Sequence, residues 1–304
     1  MTKTNRWRDV SLALGMLLMV GIGCESPDGE SPDRPETAGE DAGPIDASEP
    51  SDVAEGGGDV DDNDVGDETP VDVDLTGTWV KLVSTAVLSD TMMGGEEEAK
   101  NVSVQRVDVE QENNEVTLDV EVCSVELIEE SDLADTTIPD AFADSLDPGS
   151  RTGRIDDTGL EIFWDYEVRG VEFAEGEDSE TEPLPTEPDD PRVFDQDGDG
   201  NPGLTIEVDA SIISGEIYVV QRGRDRFEST QVADDEIRGL VEWEDEQEIL
   251  DASDDQLLLA EPSSRPHPDD EKSYFEMVRL GDDEATDCET LAAGRDDRFD
   301  IEQL

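Results

Sequence analysis

The sequence is poor in positive charge. Lysine occurs only at Lys3, Lys81, Lys100 and Lys272, and 20 Lys and Arg residues face 85 Asp and Glu residues, so the formal net charge is −65. Such a chain repels nucleic acid and anionic lipid headgroups at moderate salt, and we expect no nucleic-acid partner. A surface rich in carboxylates and poor in lysine tolerates high salt, because the ions screen its self-repulsion. The composition therefore indicates either a saline habitat and a halophilic protein, or tails that the acids keep solvated.

Groups that many enzymes use are scarce. His267 is the single histidine, and it lies in the proline-broken stretch SRPHPDD. The chain has no nucleophile elbow, zinc motif or phosphate loop. Acids beside aromatic residues, as in FWDYE and VEWEDE, could serve glycoside hydrolysis, but a chain with 85 acids contains such pairs everywhere. We expect no enzyme. The aromatic residues of these two stretches are expected to pack in a core or at barrel ends: Phe163, Trp164, Tyr166 and Trp243.

The apolar run near the start, VSLALGMLLMVGIG, is too short to span a bilayer comfortably. It follows the positively charged start MTKTNRWR and ends in small residues before Cys24. This arrangement resembles a bacterial lipoprotein signal, although Gly21 stands where that family usually has leucine. The resemblance implies a signal peptide over 1–23, a lipid on Cys24 and an outer-membrane anchor, with periplasmic or surface exposure left open. The alternative is an ordinary signal peptide that leaves Cys24 as a free thiol.

The other two cysteines, Cys123 and Cys288, form an even pair once Cys24 carries lipid. In an oxidising compartment such a pair is expected to form a disulfide. A bridge that closes so long a loop stabilises by roughly 4–5 kcal/mol in the chain-entropy model. The alternative, a catalytic thiol, would need a base, and the one histidine lies in a broken loop.

The chain divides into three parts by composition. Residues 24–74 are rich in acids, proline, glycine and serine, contain the single basic residue Arg34 and lack aromatic residues. Such a segment cannot bury enough apolar surface to fold, so it is expected to be a disordered, extended tether between membrane and domain. Residues 75–304 are expected to form one β domain. Within it, 175–191 reads as an exposed, acidic, proline-rich loop and 281–304 as a C-terminal tail.

The domain alternates apolar and polar residues with a period of two, which is typical of β-strands. In NVSVQRVDVE the buried positions shift after Val104, and in EVTLDVEVCSVEL the alternation places Ser124 on the face of Val122. We expect about 9–10 antiparallel strands in up-and-down order, in a barrel or a two-sheet sandwich. Short helices are expected in DAFADSL and in CETLAAG.

Two resemblances concern the β domain. Gly77-Thr78-Trp79 at the start of the first strand resembles the Gly-x-Trp start of lipocalins, in which the tryptophan plugs one end of an eight-stranded barrel. In that family an arginine of the last strand lies over the tryptophan, and Arg279 matches it. The alternative is that Trp79 is simply a core aromatic residue. The whole chain, with DxDGDGxPG and IYVVQR, resembles uncharacterised acidic lipoproteins of myxobacteria and their relatives, which implies no known activity.

The stretch VFDQDGDGNPGLTIEV places Asp195, Asp197 and Asp199 at the first, third and fifth positions of an EF-hand-like loop, with the carbonyl of Asn201 at the backbone-ligand position. The twelfth position is not a glutamate, and a strand follows instead of a helix. Glu207, or an acid of the preceding loop such as Asp190, could complete the shell. We expect a structural Ca²⁺ site, while the alternative is an ordinary acidic turn.

These expectations lead to two functional hypotheses. The first is an outer-membrane-anchored, non-enzymatic lipoprotein whose β domain is a binding or interaction module with a protein partner. The second is a lipocalin-like carrier of a small apolar ligand. A carrier needs an interior lined by apolar side chains with an open mouth, whereas an interaction module has a filled core. The sequence predicts neither the oligomeric state nor the partner.

Overall fold

The computed structural model describes residues 73–91, 95–129, 134–174, 176–210, 213–259 and 264–299. The predicted signal peptide, Cys24 and nearly all of the tether lie outside these residues. The strands are β1 (Gly77–Thr91), β2 (Gly95–Glu112), β3 (Glu115–Glu129), β4 (Ala134–Thr137), β5 (Gly149–Asp156), β6 (Gly159–Arg169), β7 (Leu204–Ala210), β8 (Ile213–Val232), β9 (Glu236–Ala252), β10 (Ser264–Pro266) and β11 (Tyr274–Arg279). The helices are α1 (Asp140–Asp144), α2 (Cys288–Ala293) and α3 (Arg295–Arg298), as expected in DAFADSL and CETLAAG.

Eight strands pair in chain order into a closed antiparallel ring. The order is β1, β2, β3, β5, β6, β8, β9 and β11, and β11 pairs with β1 again. The remaining strands attach to this ring: β7 pairs with the start of β8, β4 pairs with β7, and β10 pairs with the end of β1. The expected all-β, antiparallel fold is therefore confirmed, with eleven strands in one sheet.

The ring has an apolar interior and a second apolar layer outside. Along β1, Trp79 and Val83 belong to the interior cluster, while Val80 and Leu82 pack outside with Leu291 of α2. This alternation follows from the period of two, because neighbouring side chains of a strand point to opposite faces. The C-terminal segment, predicted only as a tail, thus covers one outer face of the ring.

A disulfide fastens that segment. Cys123 of β3 and Cys288 at the start of α2 are bonded, with an S–S distance of 2.00 Å and Cα atoms 4.7 Å apart. The expected pairing is therefore present in the structure. Asp287 caps α2, since its carboxylate accepts a hydrogen bond from the backbone N–H of Thr290 at 2.9 Å.

The expected slip in β2 is absent: its side chains alternate without interruption, with Val102 and Val104 on the outer face and Val107 and Val109 on the inner face. The irregularity lies in β3. Val104 pairs with Ser124 and the next residue, Gln105, pairs with Val122, so Cys123 is an extra residue in β3. The bulge turns Ser124 away from the face of Val122. The prediction for Ser124 was wrong because the alternation does not continue through a bulge.

Two further expectations need correction. Phe163 and Trp164 are 41% and 38% exposed, because an irregularity in β6 between Ile162 and Asp165 interrupts the alternation. The loop 175–191 is also not wholly exposed. Leu184 is buried in an outer cluster with Val220 of β8, and this apolar contact holds the loop against the strand.

Candidate functional site

One end of the ring is closed by Trp79 and Arg279. The two residues are opposite each other in the register of β1 and β11, and the guanidinium carbon of Arg279 lies 4.3 Å from the centre of the indole ring. Trp79 is fully buried, and its indole N–H donates to the carbonyl of Leu75 at 2.9 Å. The arginine also donates to the carbonyls of Asp74 and Thr76, both at 2.6 Å. The contact expected from Gly77-Thr78-Trp79 and Arg279 is thus present.

Gly77 is required at this end. Its φ is +143°, and a Cβ atom there would lie 2.8 Å from Nη1 of Arg279. Only glycine adopts this conformation readily and leaves room for the arginine.

Farther along, the inner face of the ring carries a layer of polar and charged side chains between two apolar regions. Register and burial place these residues on the inner face: Lys81, Thr85, Asn101, Ser103, Gln105, Arg151, Asp165, Glu167, Arg169, Gln221, Asp225, Asp245 and Gln247. We call this set the interior polar layer. Buried charges are costly unless they are paired and hydrogen-bonded, so such a layer calls for a physical explanation.

Part of the layer is a well-paired network around Arg151. Its Nη1 is 2.6 Å from Oδ1 of Asp225, and its Nε is 3.8 Å from Oδ2 of Asp165. Its Nη2 donates to the carbonyls of Phe163 and Asp225, both at 2.9 Å. The side chains of Arg151 and Asp225 are each 1% exposed. This arrangement connects β5, β6 and β8 across the interior.

A second part of the layer surrounds a glycine. Gly223 of β8 is paired with Glu167 of β6 on one side and with Asp245 of β9 on the other. The next inward position along β8 is Gln221, whose Nε2 donates to Oε1 of Gln247 at 2.7 Å. Because residue 223 is glycine, no side chain lies between the buried acids Glu167 and Asp245. Arg169 contacts Glu167.

The two acids beside Gly223 have strongly raised pKa values. Burial raises the pKa of Glu167 to about 8, although the neighbouring Arg169 opposes the shift. Burial also raises the pKa of Asp245 to about 8, again against the effect of Arg169. Acids with such pKa values in an interior are characteristic of functional sites, although structural networks produce them too.

Other groups of the layer have hydrogen-bonding capacity that the described residues do not use. Gln105 is fully buried, and its Oε1 has no hydrogen-bond partner among the described residues, while its Nε2 donates to Oγ of Ser103 at 3.3 Å. Oγ1 of Thr85, a residue 1% exposed, also lacks a partner within the described part of the chain. Since buried polar groups are nearly always hydrogen-bonded, these atoms point to a partner outside the protein.

The alternation of the sequence alone does not predict this layer. The available signal was a polar residue at an inward position of an otherwise apolar strand, as with Lys81 in TWVKLV and Gln105 in VSVQRV. Such a residue can be recognised as inward-facing only when the pairing register of the strands is known, because a bulge changes which residues face inward.

The sequence-predicted aspartates do come together. Asp195, Asp197 and Asp199 each offer a carboxylate oxygen, and these oxygens lie within 4.8 Å of one another. The loop itself already uses most of their capacity. Asp195 accepts from the backbone N–H groups of Gly198 and Gly200 at 2.8 and 2.9 Å. Both glycines have positive φ, 74° and 96°, which lets the backbone curl around the carboxylate.

Thr205 at the start of β7 holds the other two aspartates. Its N–H donates to Oδ2 of Asp197 at 2.8 Å, and its hydroxyl donates to Oδ2 of Asp199 at 2.6 Å. Oδ1 of Asp197 is buried without a partner among the residues described. Burial, then Asp199 and Asp195, raise the pKa of Asp197. Burial raises the pKa of Asp199 as well, but hydrogen bonds from Thr205 and Asn201 outweigh it, so the net shift is downward.

The two acids expected to complete a metal shell, Glu207 or Asp190, are not part of this cluster, and the expected ligand role of the Asn201 carbonyl stays a prediction. Glu207 is exposed on β7 and is not part of the group of three. The side chain of Asn201 donates to Oδ2 of Asp199 at 3.0 Å. Asp190, the alternative, forms an ion pair with Arg192 at 2.8 Å. Within the described residues, the three aspartates are the carboxylate part of this site.

Comparison with protein-family models, with curated proteins and with solved structures finds no significant match to this chain. In the described part of the chain, the helices are too short or too polar to cross a bilayer.

Proposed function

We propose that this protein is a non-enzymatic, membrane-anchored binding protein that holds a small molecule inside its β ring. The observation that carries the proposal is the hydrogen-bonding capacity of Gln105 and Thr85, which are buried and face inward without partners among the described residues. A buried polar atom without a partner costs about 1–3 kcal/mol. A ligand that supplies the missing hydrogen bonds removes this cost.

The closed end and the strand order support an interior site. The ring is continuous through eight strands, and Trp79 with Arg279 fills one end, as in the lipocalin resemblance. Ligand sites of β-barrels lie at the mouth and in the interior. A purely apolar ligand, as in the alternative of a lipocalin-like carrier, would leave Gln105 and Thr85 unsatisfied. The proposed ligand is therefore a small molecule with hydrogen-bonding groups.

Thermal unfolding of the purified full-length protein tests this proposal. The probes are amino acids, sugars, short carboxylic acids and short amines, each added at fixed ionic strength. A compound that binds the native state raises the Tm by mass action. We expect at least one class to raise the Tm of the wild type.

Two variants locate the site of such a compound. Gln105→Met keeps the size of the side chain and removes the amide, so it should lose the rise in Tm. The triple change of Asp195, Asp197 and Asp199 to Asn should keep it, because that loop lies outside the ring. No rise with any probe, or an equal rise in Gln105→Met, would count against an interior site.

The anchor is part of the same proposal and rests on the sequence. We propose that Cys24 carries lipid and holds the protein at the outer membrane, with the acidic tether as spacer. Cys24→Ser should move the protein from the membrane fraction to the soluble fraction. If Cys24→Ser stays in the membrane fraction, the proposed lipid anchor is wrong. The proposal of an interior binding site does not depend on this result.

We also propose a structural role for the aspartate loop as a Ca²⁺ site. Three carboxylates within 4.8 Å and the partnerless Oδ1 of Asp197 favour it. Calcium prefers several oxygen ligands, and a dication would offset the mutual repulsion of the acids. Because the loop's own N–H groups already satisfy part of this charge, we expect weak affinity, about 10⁻⁴–10⁻³ M.

A further inference from the structure

Lys81 is a lysine in the interior of the ring. It lies on β1 between Trp79 and Val83 and is 1% exposed. Its Nζ is 3.4 Å from the centre of the Phe227 ring and 5.8 Å from that of Phe275. The two phenylalanines pack edge to face, with ring centres 5.2 Å apart. The amine is thus held against an aromatic wall, where water has little access.

No carboxylate neutralises Lys81 by direct contact. Arg151 forms an ion pair with Asp225, and Arg169 contacts the side chain of Glu167, but Lys81 forms no ion pair with the described residues. A lysine that is buried without a counter-ion tends to lose its proton.

The groups that act on the charge of Lys81 come from three strands. Burial is the largest effect and holds the pKa of Lys81 well below its ordinary value, and Arg151 of β5 acts in the same direction. Asp225 of β8 and Glu167 of β6 oppose the shift without reversing it. The net effect lowers the pKa of Lys81 and so favours the uncharged amine, which is a nucleophile.

We propose that Lys81 is a covalent binding site inside the ring for a small aldehyde or ketone. This inference rests on the proposed function, since the compound must first enter the interior. The amine nitrogen attacks the carbonyl carbon, and the carbonyl oxygen takes up a proton that the nitrogen loses. The hydroxyl group then leaves as water together with the remaining N–H proton, and a C=N bond joins the ligand to Lys81.

The surroundings of Lys81 fit this chemistry. Gln105 lies directly opposite Lys81 in the register of β1 and β2, and its partnerless Oε1 can accept a hydrogen bond from the hydroxyl of the intermediate. The amine of Lys81 lies beside the apolar rings of Phe227 and Phe275, which would contact the remainder of the ligand. Glu167 shares the interior and, because burial raises its pKa to about 8, retains a proton near neutral pH.

Reductive trapping tests the proposal. The full-length protein is incubated at pH 7 with propanal and sodium cyanoborohydride, digested, and mapped by mass spectrometry for alkylated lysines. Lys100 and Lys272 are the internal controls, since both are partly exposed, whereas Lys81 is buried. We expect labelling of Lys81 to exceed that of either control by at least about tenfold, the change that one unit of pKa produces.

The same reaction in urea is the second control. Unfolding exposes all three lysines, so the excess at Lys81 should disappear. Labelling of Lys81 equal to or below that of Lys100 and Lys272 in the folded protein would overturn the inference. If the thermal shift by non-carbonyl probes persists in that case, the binding function stands and only the covalent step is wrong.

Discussion

The interior polar layer and the aspartate loop use the same type of residue in opposite ways. In the loop, the carboxylates of Asp195 and Asp199 are exposed and accept several hydrogen bonds from nearby backbone N–H groups. In the interior, the two carboxylate oxygens of Asp245 are buried and make no hydrogen bond of normal geometry to described residues. Accordingly the pKa of Asp199 lies below its ordinary value, whereas burial raises that of Asp245 to about 8.

The difference shows that acid clusters on this surface carry little functional information. A turn with glycines at positive φ supplies most of the hydrogen bonds that its carboxylates need, and only Oδ1 of Asp197 lacks a partner among the described residues. A closed ring cannot do so, because its backbone N–H groups are already used in the sheet. In so acidic a chain, unsatisfied polar groups inside are a stronger sign of function than a large number of acids outside.

The largest expected effect comes from breaking the interior ion pair. Asp225→Asn leaves Arg151 buried without its partner and should lower the free energy of unfolding by about 3–5 kcal/mol. Urea unfolding measures the loss. The matched surface change is Glu244→Gln, which removes the exposed partner of Arg224 at 2.9 Å and should cost about 0–1 kcal/mol. Equal losses of unfolding free energy in the two variants would show that the interior ion pair stabilises the protein no more than the surface pair does.

The disulfide should have the next largest effect. Changing both Cys123 and Cys288 to Ser frees a loop with a sequence separation of 165 residues and should cost about 2–5 kcal/mol. Urea unfolding of both proteins measures it, and non-reducing peptide mapping of the wild type should find the linked pair. Two free thiols in the native protein after acid quenching would contradict this.

Calcium should distinguish the loop from the interior. At one hundred times its dissociation constant, calcium should stabilise the wild type by about 2.7 kcal/mol through mass action. The triple Asn variant of Asp195, Asp197 and Asp199 should show no calcium-specific gain. The comparison is thermal unfolding with calcium or EDTA at fixed high ionic strength, because general screening also stabilises so acidic a chain. Identical responses would make the loop an acidic turn and nothing more.

Taken per pH unit and per acid, the smallest expected effect is the pH slope from the interior acids. Because folding raises the pKa of Glu167 and Asp245 from 4.5 and 3.8 to about 8, the native protein keeps protons that the unfolded chain has lost. The contribution of these two acids to stability should therefore fall as pH rises from about 4 to 8, by up to about 1.4 kcal/mol per unit for each group, and stay level above 8.

The slope is best measured between pH 6 and 8, where ordinary carboxyls are already ionised. A His267→Gln background removes the one histidine. Glu167→Gln and Asp245→Asn should each make the slope shallower. An unchanged slope in both variants would show that these acids do not hold protons in the native protein.

The fold was more predictable than the site. The alternation with a period of two predicts that β1 to β3 are antiparallel strands that pair in chain order. The disulfide was predictable because Cys123 and Cys288 are the two cysteines left once Cys24 carries lipid. The inward polar residues could not be predicted, since the bulge at Cys123 and the irregularity after Ile162 decide which side chains face inside. The aspartate loop could be predicted from the sequence, because Asp195, Asp197 and Asp199 lie close together in the chain. Lys81 and Phe227 meet only after the ring closes.

A high-resolution crystal structure of the purified full-length protein tests the interior site most directly. The account predicts electron density for water or a small molecule inside the ring, within hydrogen-bonding distance of Oε1 of Gln105 and Oγ1 of Thr85, because buried polar atoms require partners. If both atoms instead bond to protein groups, with the space around Lys81 filled by side chains, the ring is a solid core and the proposed binding site does not exist.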